Sequence, residues 1–424
     1  MVSVFFRFCW IPFVFAGTVQ AASLDQAVQS ALQKNETVAQ SREQLRRSEE
    51  QISQARSAIF PNLSLNASYL IQPKPSDPIA AEFFPEQQRT ANFTLTQPLF
   101  RGFREFAALR QRKNLYSAQE QARLGQLIKL YQEIAASFLD VLALEQDLRN
   151  LEGQKTIYAQ RVKDLQARTR RGESSTTEAL TAQSTAAALD AETQMVQSRL
   201  RTARENMSFL TGLPVDEALT DTDDMATFTL RPLSEYLARI DERPDVKALK
   251  ENARAADEEV SIARGGHWPS ADVVGNYYLV RPEGFMEDLK WDVTFKFSLP
   301  LFEGGLRQSQ VREAASKRGE SELELARIRR QTEAEIKSLH ESLRIRADQL
   351  KALKLASDLS EKNYQVLLRD SRRGLTRSID VQLGLTEYRV ARRTFDQARY
   401  QARLDRIKLE TAAAILPSAL TKEM

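Results

Sequence analysis

The sequence predicts a mainly helical fold with a smaller β part, built as two tandem copies of one unit. The segment QPLFRGFR at 97–104 returns as LPLFEGGL at 299–306, and TRRG at 169–172 returns as SRRG at 371–374. Both offsets are 202 residues (299−97 and 374−172), which indicates an internal repeat. Charged residues make up 28% of the 424 residues, with 15 Gly and 14 Pro, a composition typical of long solvated helices.

The first 21 residues have the pattern of a secretory signal peptide. Arg7 is basic, an apolar stretch runs through 8–16, and small residues precede the expected cleavage after Ala21. The alternative is a buried apolar strand. Cys9 is the only cysteine and lies in this segment, so the processed chain is expected to lack disulfides and thiolate metal sites.

Each copy opens with a helix and continues with a β-hairpin. The spacing predicts one helix over 24–57 and a second over 233–264, which breaks only at Pro244. Pro61 and Pro269 end these helices because proline cannot donate the next backbone hydrogen bond.

Alternation of apolar and polar residues then predicts hairpins at about 62–100 and about 270–301, as in WDVTFKFS at 291–298. Polar loops join their strands at 72–91 and 281–290.

A long helical hairpin completes each copy, at about 103–210 and about 305–416. Its first helix has apolar heptads in the same phase in both copies: Leu127, Ile134, Val141, Leu148, and Ile336, Leu343, Leu350. An unbroken helix over 103–170 is on the order of 100 Å long. Gly172 and Gly374 turn the chain, since glycine accepts the positive φ of a helix C-cap.

The predicted organisation therefore has five parts: a signal peptide (1–21), a first repeat (22–211), a linker (212–233), a second repeat (234–416) and a tail (417–424). The two hairpins supply four strands, whereas transmembrane barrels begin at eight. Several chains would have to share one barrel. The alternative is a small soluble sheet that caps a helical bundle, but it gives no reason for such long helices.

The signal peptide, the order of elements in both halves, the PLF junctions and the tip sequence GLTRSIDV at 374–381 resemble the TolC family of outer-membrane efflux factors. The resemblance covers essentially the whole processed chain. It implies a homotrimer with a twelve-stranded barrel in outer-membrane lipid, continued by an α-helical tunnel across the periplasm. It also implies an equatorial region formed by 212–233 and the tail.

In this family an aspartate pair, in a DVxD arrangement, narrows the periplasmic end of the pore. Asp380 and Val381 match its start, but Leu383 replaces the second acid. Glu178 holds the corresponding place in the first copy. Three copies of Asp380 would form a carboxylate ring that attracts cations. The alternative is an acid in the first turn of a helix, stabilised by the helix dipole.

The tips of the helical hairpins are basic, and the resemblance makes them docking points for a periplasmic adaptor protein. The residues are Arg170, Arg171, Gly172, Arg372, Arg373 and Gly374. The alternative is a pair of solvated helix ends without a partner.

The resemblance implies a passive, gated exit duct for efflux or type I secretion, opened by the adaptor and energised indirectly by an inner-membrane pump of the RND, ABC or MFS type. A periplasmic coiled-coil scaffold or adaptor without a pore is the alternative. No catalytic or cofactor motif is found in the sequence. A metal site is not expected either, because His267 and His340 have neither a cysteine nor a paired histidine near them in sequence. The net charge of +3 gives no reason to expect nucleic acid.

Overall fold

The computed structural model of the protein describes residues 21–73, 75–76, 86–221, 229–281 and 287–421. All but the last residue of the predicted signal peptide lies outside the described residues. The same holds for parts of both hairpin loops, of the 212–233 linker and of the C-terminal tail.

The described residues form helices interrupted by two pairs of strands. In chain order the elements are α1 (Leu24–Lys34), α2 (Glu36–Ser57), β1 (Asn62–Ile71), β2 (Gln87–Arg101), α3 (Arg104–Arg170), α4 (Thr176–Thr211), α5 (Leu233–Leu237), a 3-10 turn (Ile240–Glu242), α6 (Pro244–Gly265), β3 (Ser270–Val280), β4 (Trp291–Ser298), α7 (Leu306–Arg372), α8 (Ser378–Ala412) and α9 (Ser418–Thr421). Each copy contains the predicted helix, β-hairpin and long helical hairpin.

The repeat is visible in the bounds of the helices. α3 and α7 are both 67 residues long. Their first residues are 202 positions apart (306−104), and so are their last residues (372−170). α2 and α6 are both 22 residues long but lie 208 residues apart (244−36). The offset therefore changes within the β-hairpin, whose loop is longer in the first copy.

The prediction of one continuous helix over 24–57 was wrong, because the chain breaks at Asn35. Its backbone is extended (ψ 129°), and its side-chain amide donates to the carbonyl of Leu210 at 3.0 Å. The ammonium of Lys34 donates to the carbonyl of Gly212 at 2.8 Å. These contacts hold the end of α1 against the end of α4, and local spacing contains no sign of them. The break predicted at Pro244 is present, but the prediction that it is the only one was wrong, because α5 already ends at Leu237 and a 3-10 turn follows.

The four strands form one antiparallel sheet in the order β1-β2-β3-β4. Alternation places large apolar side chains on one face, where Leu63 is 66% exposed and Phe295 is 76% exposed.

β2 begins at Gln87, so the predicted loop over 72–91 extends too far toward its C-terminal end. Residues 87–90 pair with β1, although they are too polar to show the alternation. Within the described residues, the outer sides of β1 and β4 have no neighbouring strand.

The other face of the sheet carries linked polar side chains from all four strands. Asn66 donates to the hydroxyl of Thr94 at 2.9 Å, and Thr94 donates to Oδ1 of Asn276 at 2.8 Å. The amide of Asn276 donates to Oδ1 of Asp292 at 2.9 Å. The sheet therefore has one apolar and one hydrogen-bonded polar face.

The described residues group into two compact units that both draw on both copies. The tip unit is the described part of 1–35, 131–229 and 346–404, and the sheet unit that of 36–130, 230–345 and 405–424. Among the described residues, no helix combines the length and apolar character needed to cross a membrane.

The junction between β2 and α3 passes against the end of α6. Gly102 has a φ of 66°, and a Cβ there would lie 2.2 Å from the carbonyl oxygen of Gly265. Only glycine fits this position, because any side chain would both clash with backbone and strain the left-handed conformation.

We expect Gly102→Ala to destabilise the protein by more than the roughly 1–2 kcal/mol that left-handed strain alone costs. Gly374→Ala is the matched control, since Gly374 has a φ of 76° but no atom lies within 4 Å of the position that an alanine Cβ would take. Urea unfolding followed by circular dichroism measures both variants. Equal losses would show that the close approach to Gly265 contributes nothing.

Candidate functional site: the helix tips and the tip unit

Each long helical hairpin turns at a glycine in the left-handed region. The φ of Gly172 is 74° and that of Gly374 is 76°. The N–H of Gly172 donates to the carbonyl of Thr169 at 3.0 Å, and the N–H of Gly374 donates to that of Ser371 at 3.1 Å. The two turns therefore lie at the RRG motifs and are built in the same way.

The tip residues singled out from the sequence are all solvent-exposed: Arg170, Arg171, Gly172, Arg372, Arg373 and Gly374. In the first tip, Nε of Arg171 lies 2.9 Å from Oε1 of Glu173. This hydrogen bond lowers the pKa of the Glu173 carboxyl. Both tips thus present guanidinium groups to solvent, as a charged docking surface requires.

Asp380 lies in the first turn of α8, and its Oδ2 is 3.3 Å from Nε of Arg377. Leu383, almost one turn further along, is 60% exposed. Glu178 lies in the first turn of α4 and accepts a 2.5 Å hydrogen bond from the hydroxyl of Ser174. Both acids thus occupy N-terminal turns, where a helix dipole favours negative charge. Their use as a gate stays a prediction.

A partly buried ion network in the tip unit could not be recognised from the sequence. Arg393 on α8 donates to Oδ2 of Asp147 on α3 at 2.6 Å and also bonds Glu192 on α4. Nearby, the amide of Asn150 donates to Oδ2 of Asp396 at 3.0 Å. One guanidinium therefore joins three helices from both copies. Heptad patterning could not reveal it, because charged residues between apolar positions usually face solvent.

Burial and charge attraction oppose each other in this network. Desolvation, together with repulsion from Glu192 and Asp396, raises the pKa of the Asp147 carboxyl against the opposing attraction of Arg393. Burial alone would lower the pKa of Arg393, but its hydrogen bonds and charge contacts with Glu192 and Asp147 raise it. The guanidinium of Arg393 therefore stays charged and neutralises the negative charges of the Asp147 and Glu192 carboxylates.

An apolar cluster in the same unit packs α3, α4 and α8 together. Its buried members are Leu151, Tyr158, Leu189, Val196 and Leu385. The rings of Tyr364 on α7 and Tyr388 on α8 stack at 6.3 Å between centroids. All four long helices thus contribute to the core of the tip unit.

The described residues contain no group of three or more His, Cys, Asp or Glu side chains placed to hold a metal ion. His340, at a coiled-coil position, instead contacts the carbonyl of Arg231 through Nε2 at 3.0 Å. Its ring also packs edge-on against Tyr236, with centroids 5.8 Å apart.

A two-faced sheet joined to paired long helical hairpins defines the class of outer-membrane channel proteins with a periplasmic helical part. The chain belongs to the outer membrane efflux protein family, whose sequence profile matches residues 27–213 and 238–414. The two matched segments correspond to the two copies. The predicted family, fold class and outer-membrane location are confirmed.

Individual relatives agree with this assignment. The proteases secretion protein PrtF of Dickeya chrysanthemi is 22% identical over 287 residues, which cover 65% of this chain and 61% of that protein. The matched region thus spans less than two thirds of the length of PrtF.

Solved structures show the same fold at low identity. The outer membrane protein VceC of Vibrio cholerae aligns with a TM-score of 0.78 and 18% identity, over 92% of this chain and 95% of that one. The CmeC outer membrane channel of Campylobacter jejuni aligns with a TM-score of 0.77 and 14% identity, over 94% and 88% of the two chains. The family consists of channels, which are not enzymes.

We expect Arg393→Ala to destabilise the tip unit by about 3 kcal/mol, because it leaves buried Asp147 without its counter-charge. Arg377→Ala is the control, since the Arg377 side chain is 82% exposed and such pairs contribute at most about 1 kcal/mol. Urea unfolding of both variants tests this difference. Similar losses would mean that the Arg393 network is no more important than a surface pair.

Proposed function

We propose that the protein is a passive, gated exit duct through the outer membrane, built by three copies of the chain. The observation that carries this proposal is the sheet, which has an apolar face, a polar face and, within the described residues, two outer strands without neighbours. Membership of the outer membrane efflux protein family supports it.

The sheet supports a shared barrel for a simple physical reason. Backbone groups at an open sheet edge cannot be left unsatisfied in lipid. Pairing β4 of one copy with β1 of the next removes every edge, and three copies of four strands (3×4) give twelve. The apolar face would then meet lipid, and the polar face, with Asn66, Thr94, Asn276 and Asp292, would line the pore.

The long helices of three copies would continue the pore as a tunnel into the periplasm. There the exposed arginines of the tips would dock the hairpins of an adaptor protein, which in turn connects an inner-membrane pump. The duct itself performs no catalysis, and the pump supplies the energy. Whether that pump is of the RND, ABC or MFS type does not bear on the duct.

A coiled-coil scaffold without a pore is the competing proposal. It would use the helices and tips equally well, but it leaves the apolar face of the sheet, with Phe295 and Trp291 at 76% and 68% exposure, without purpose. The name of PrtF, a proteases secretion protein, favours secreted proteins among the cargo.

The purified protein should form a trimer that conducts ions in planar lipid bilayers, because the closed barrel encloses water. Light scattering in detergent and bilayer recordings test the two parts separately. A folded trimer that never conducts, even with Asp380→Ala, would favour the scaffold.

The gate proposal predicts that Asp380→Asn reduces cation preference, since a trimer loses three carboxylates at one level of the pore. The reversal potential in a salt gradient measures this. Glu178→Gln is the matched comparison and should change the reversal potential less, because Glu178 is the weaker gate candidate of the first copy and its carboxylate accepts a hydrogen bond from Ser174. If the reversal potential of Asp380→Asn is unchanged, Asp380 is not part of a gate and acts only as an acid in the first turn of α8, stabilised by the helix dipole.

The docking proposal predicts that Gly172→Val together with Gly374→Val abolishes export, because branched side chains strain the left-handed turns and reshape both tips. Adaptor pull-down should fall in parallel, while bilayer conductance of the isolated duct persists. Normal export with normal pull-down would eliminate the tips as the docking site.

A further inference from the structure

Two oppositely charged pairs account for most of the charge on the polar face of the sheet. Nε of Arg101 on β2 lies 2.8 Å from Oδ1 of Asp272 on β3. Closer to the hairpin loops, Nη2 of Arg281, the residue after β3, lies 3.8 Å from Oδ2 of Asp292 on β4. Asp292 also accepts a hydrogen bond from the amide of Asn276 at 2.9 Å. Both acids of this face are therefore compensated by a guanidinium.

Lys296 on β4 is the charged side chain of this face that lacks such a partner. It is four residues after Asp292, so the alternation of the strand places both on the polar face. In register it is paired with Asp272, but the carboxylate of Asp272 is bonded to Arg101 instead. Lys296 is exposed, and within the described part of the chain its ammonium group forms no ion pair.

The start of α3 does not supply the missing negative charge. Oε1 of Glu105 lies 4.0 Å from Nη1 of Arg101, so this acid faces the guanidinium that already binds Asp272. Nε of Arg104 donates to the carbonyl of Arg101 at 3.0 Å, which places a further cation beside the same group. These two arginines and two acids sum to zero. Lys296 therefore leaves one net positive charge per chain at this level of the sheet.

Closure of the barrel would not neutralise this charge. β4 is an outer strand, so in the proposed duct its free side pairs with β1 of the next copy. β1 (Asn62–Ile71) contains no charged residue. The repeat adds no second lysine either, because Lys296 corresponds to Thr94 in the first copy (296−202). Three copies of the chain would thus present three ammonium groups at one height of the lumen.

We propose that Lys296 gives the barrel lumen a preference for anions, as a ring of three lysines two residues before the end of β4. Rings of Lys or Arg side chains select anions in other pores. The ring rests on the proposed three-copy duct and names the class of cargo that its barrel favours, which is molecules with exposed carboxylate or phosphate groups. Asp380 belongs to the tip unit, so mutations can separate its charge from that of Lys296.

Screening by salt sets the conditions for a test. Three unit charges about 10 Å from an ion change its local concentration by roughly two-fold at 0.1 M salt, where the Debye length is about 10 Å. At 1 M salt the Debye length is only about 3 Å, and the effect of the ring disappears. An ion preference that is present in dilute salt and lost in concentrated salt therefore indicates a charge in the lumen, whereas an altered structure would act at both concentrations.

Reversal potentials in planar bilayers with a KCl gradient test the ring, with every variant made in Asp380→Asn so that the gate carboxylates are absent. In salt of about 0.1 M, Lys296→Gln should lower the ratio of chloride to potassium permeability roughly two- to four-fold. Lys296→Glu should lower the ratio further, because it reverses the charge. Lys296→Arg should retain the ratio, because it keeps the charge.

Arg89→Gln is the matched control, since it removes one positive charge per chain from the same sheet. Arg89 is paired in register with Tyr69 on the apolar face, and its guanidinium lies 5.6 Å from the centre of the Tyr69 ring. In the proposed duct this face lies outside the lumen. The permeability ratio of Arg89→Gln should therefore equal that of the parent.

The outcomes separate the ring from the duct itself. A lower ratio in Lys296→Gln that vanishes in concentrated salt, with no change in Lys296→Arg or Arg89→Gln, supports the ring. A conducting trimer overturns the ring and leaves the duct intact if its ratio ignores both Lys296→Gln and Lys296→Glu, or falls equally in Arg89→Gln, or stays lowered in concentrated salt. A protein that conducts in no variant would overturn both.

Discussion

The open edges of the sheet, where β1 and β4 have no neighbouring strand within the described residues, are the constraint on which the rest of the molecule depends. Four strands with an exposed apolar face cannot close on themselves, and lipid offers no partner to the open edges of β1 and β4. More than one chain is then needed for a closed sheet. The repeat follows the same logic, because each copy supplies one β-hairpin and one helical hairpin to a shared assembly.

Charged side chains hold the two copies together within the chain. Within the chain, Arg393 joins Asp147 and Glu192, so removal of the guanidinium would strand two carboxylates.

Much of the fold was readable from local patterns. The 202-residue offset, the period-two strands and the glycines at the tips all correspond to elements in the structure, because each reflects a rule that acts within a few residues. The break at Asn35 could not be predicted in this way, since it depends on hydrogen bonds to the carbonyls of Leu210 and Gly212, which lie far along the chain. The start of β2 at Gln87 was missed because polar strand residues carry no alternation.

The sequence alone therefore determined the two copies, their elements and their order, as well as the exposed arginines of the tips. Only the tertiary structure decided that Arg393 on α8 joins Asp147 on α3 and Glu192 on α4. The physical reason is that hydrophobic periodicity is a local property, whereas the partner of a charge depends on which distant helices pack together.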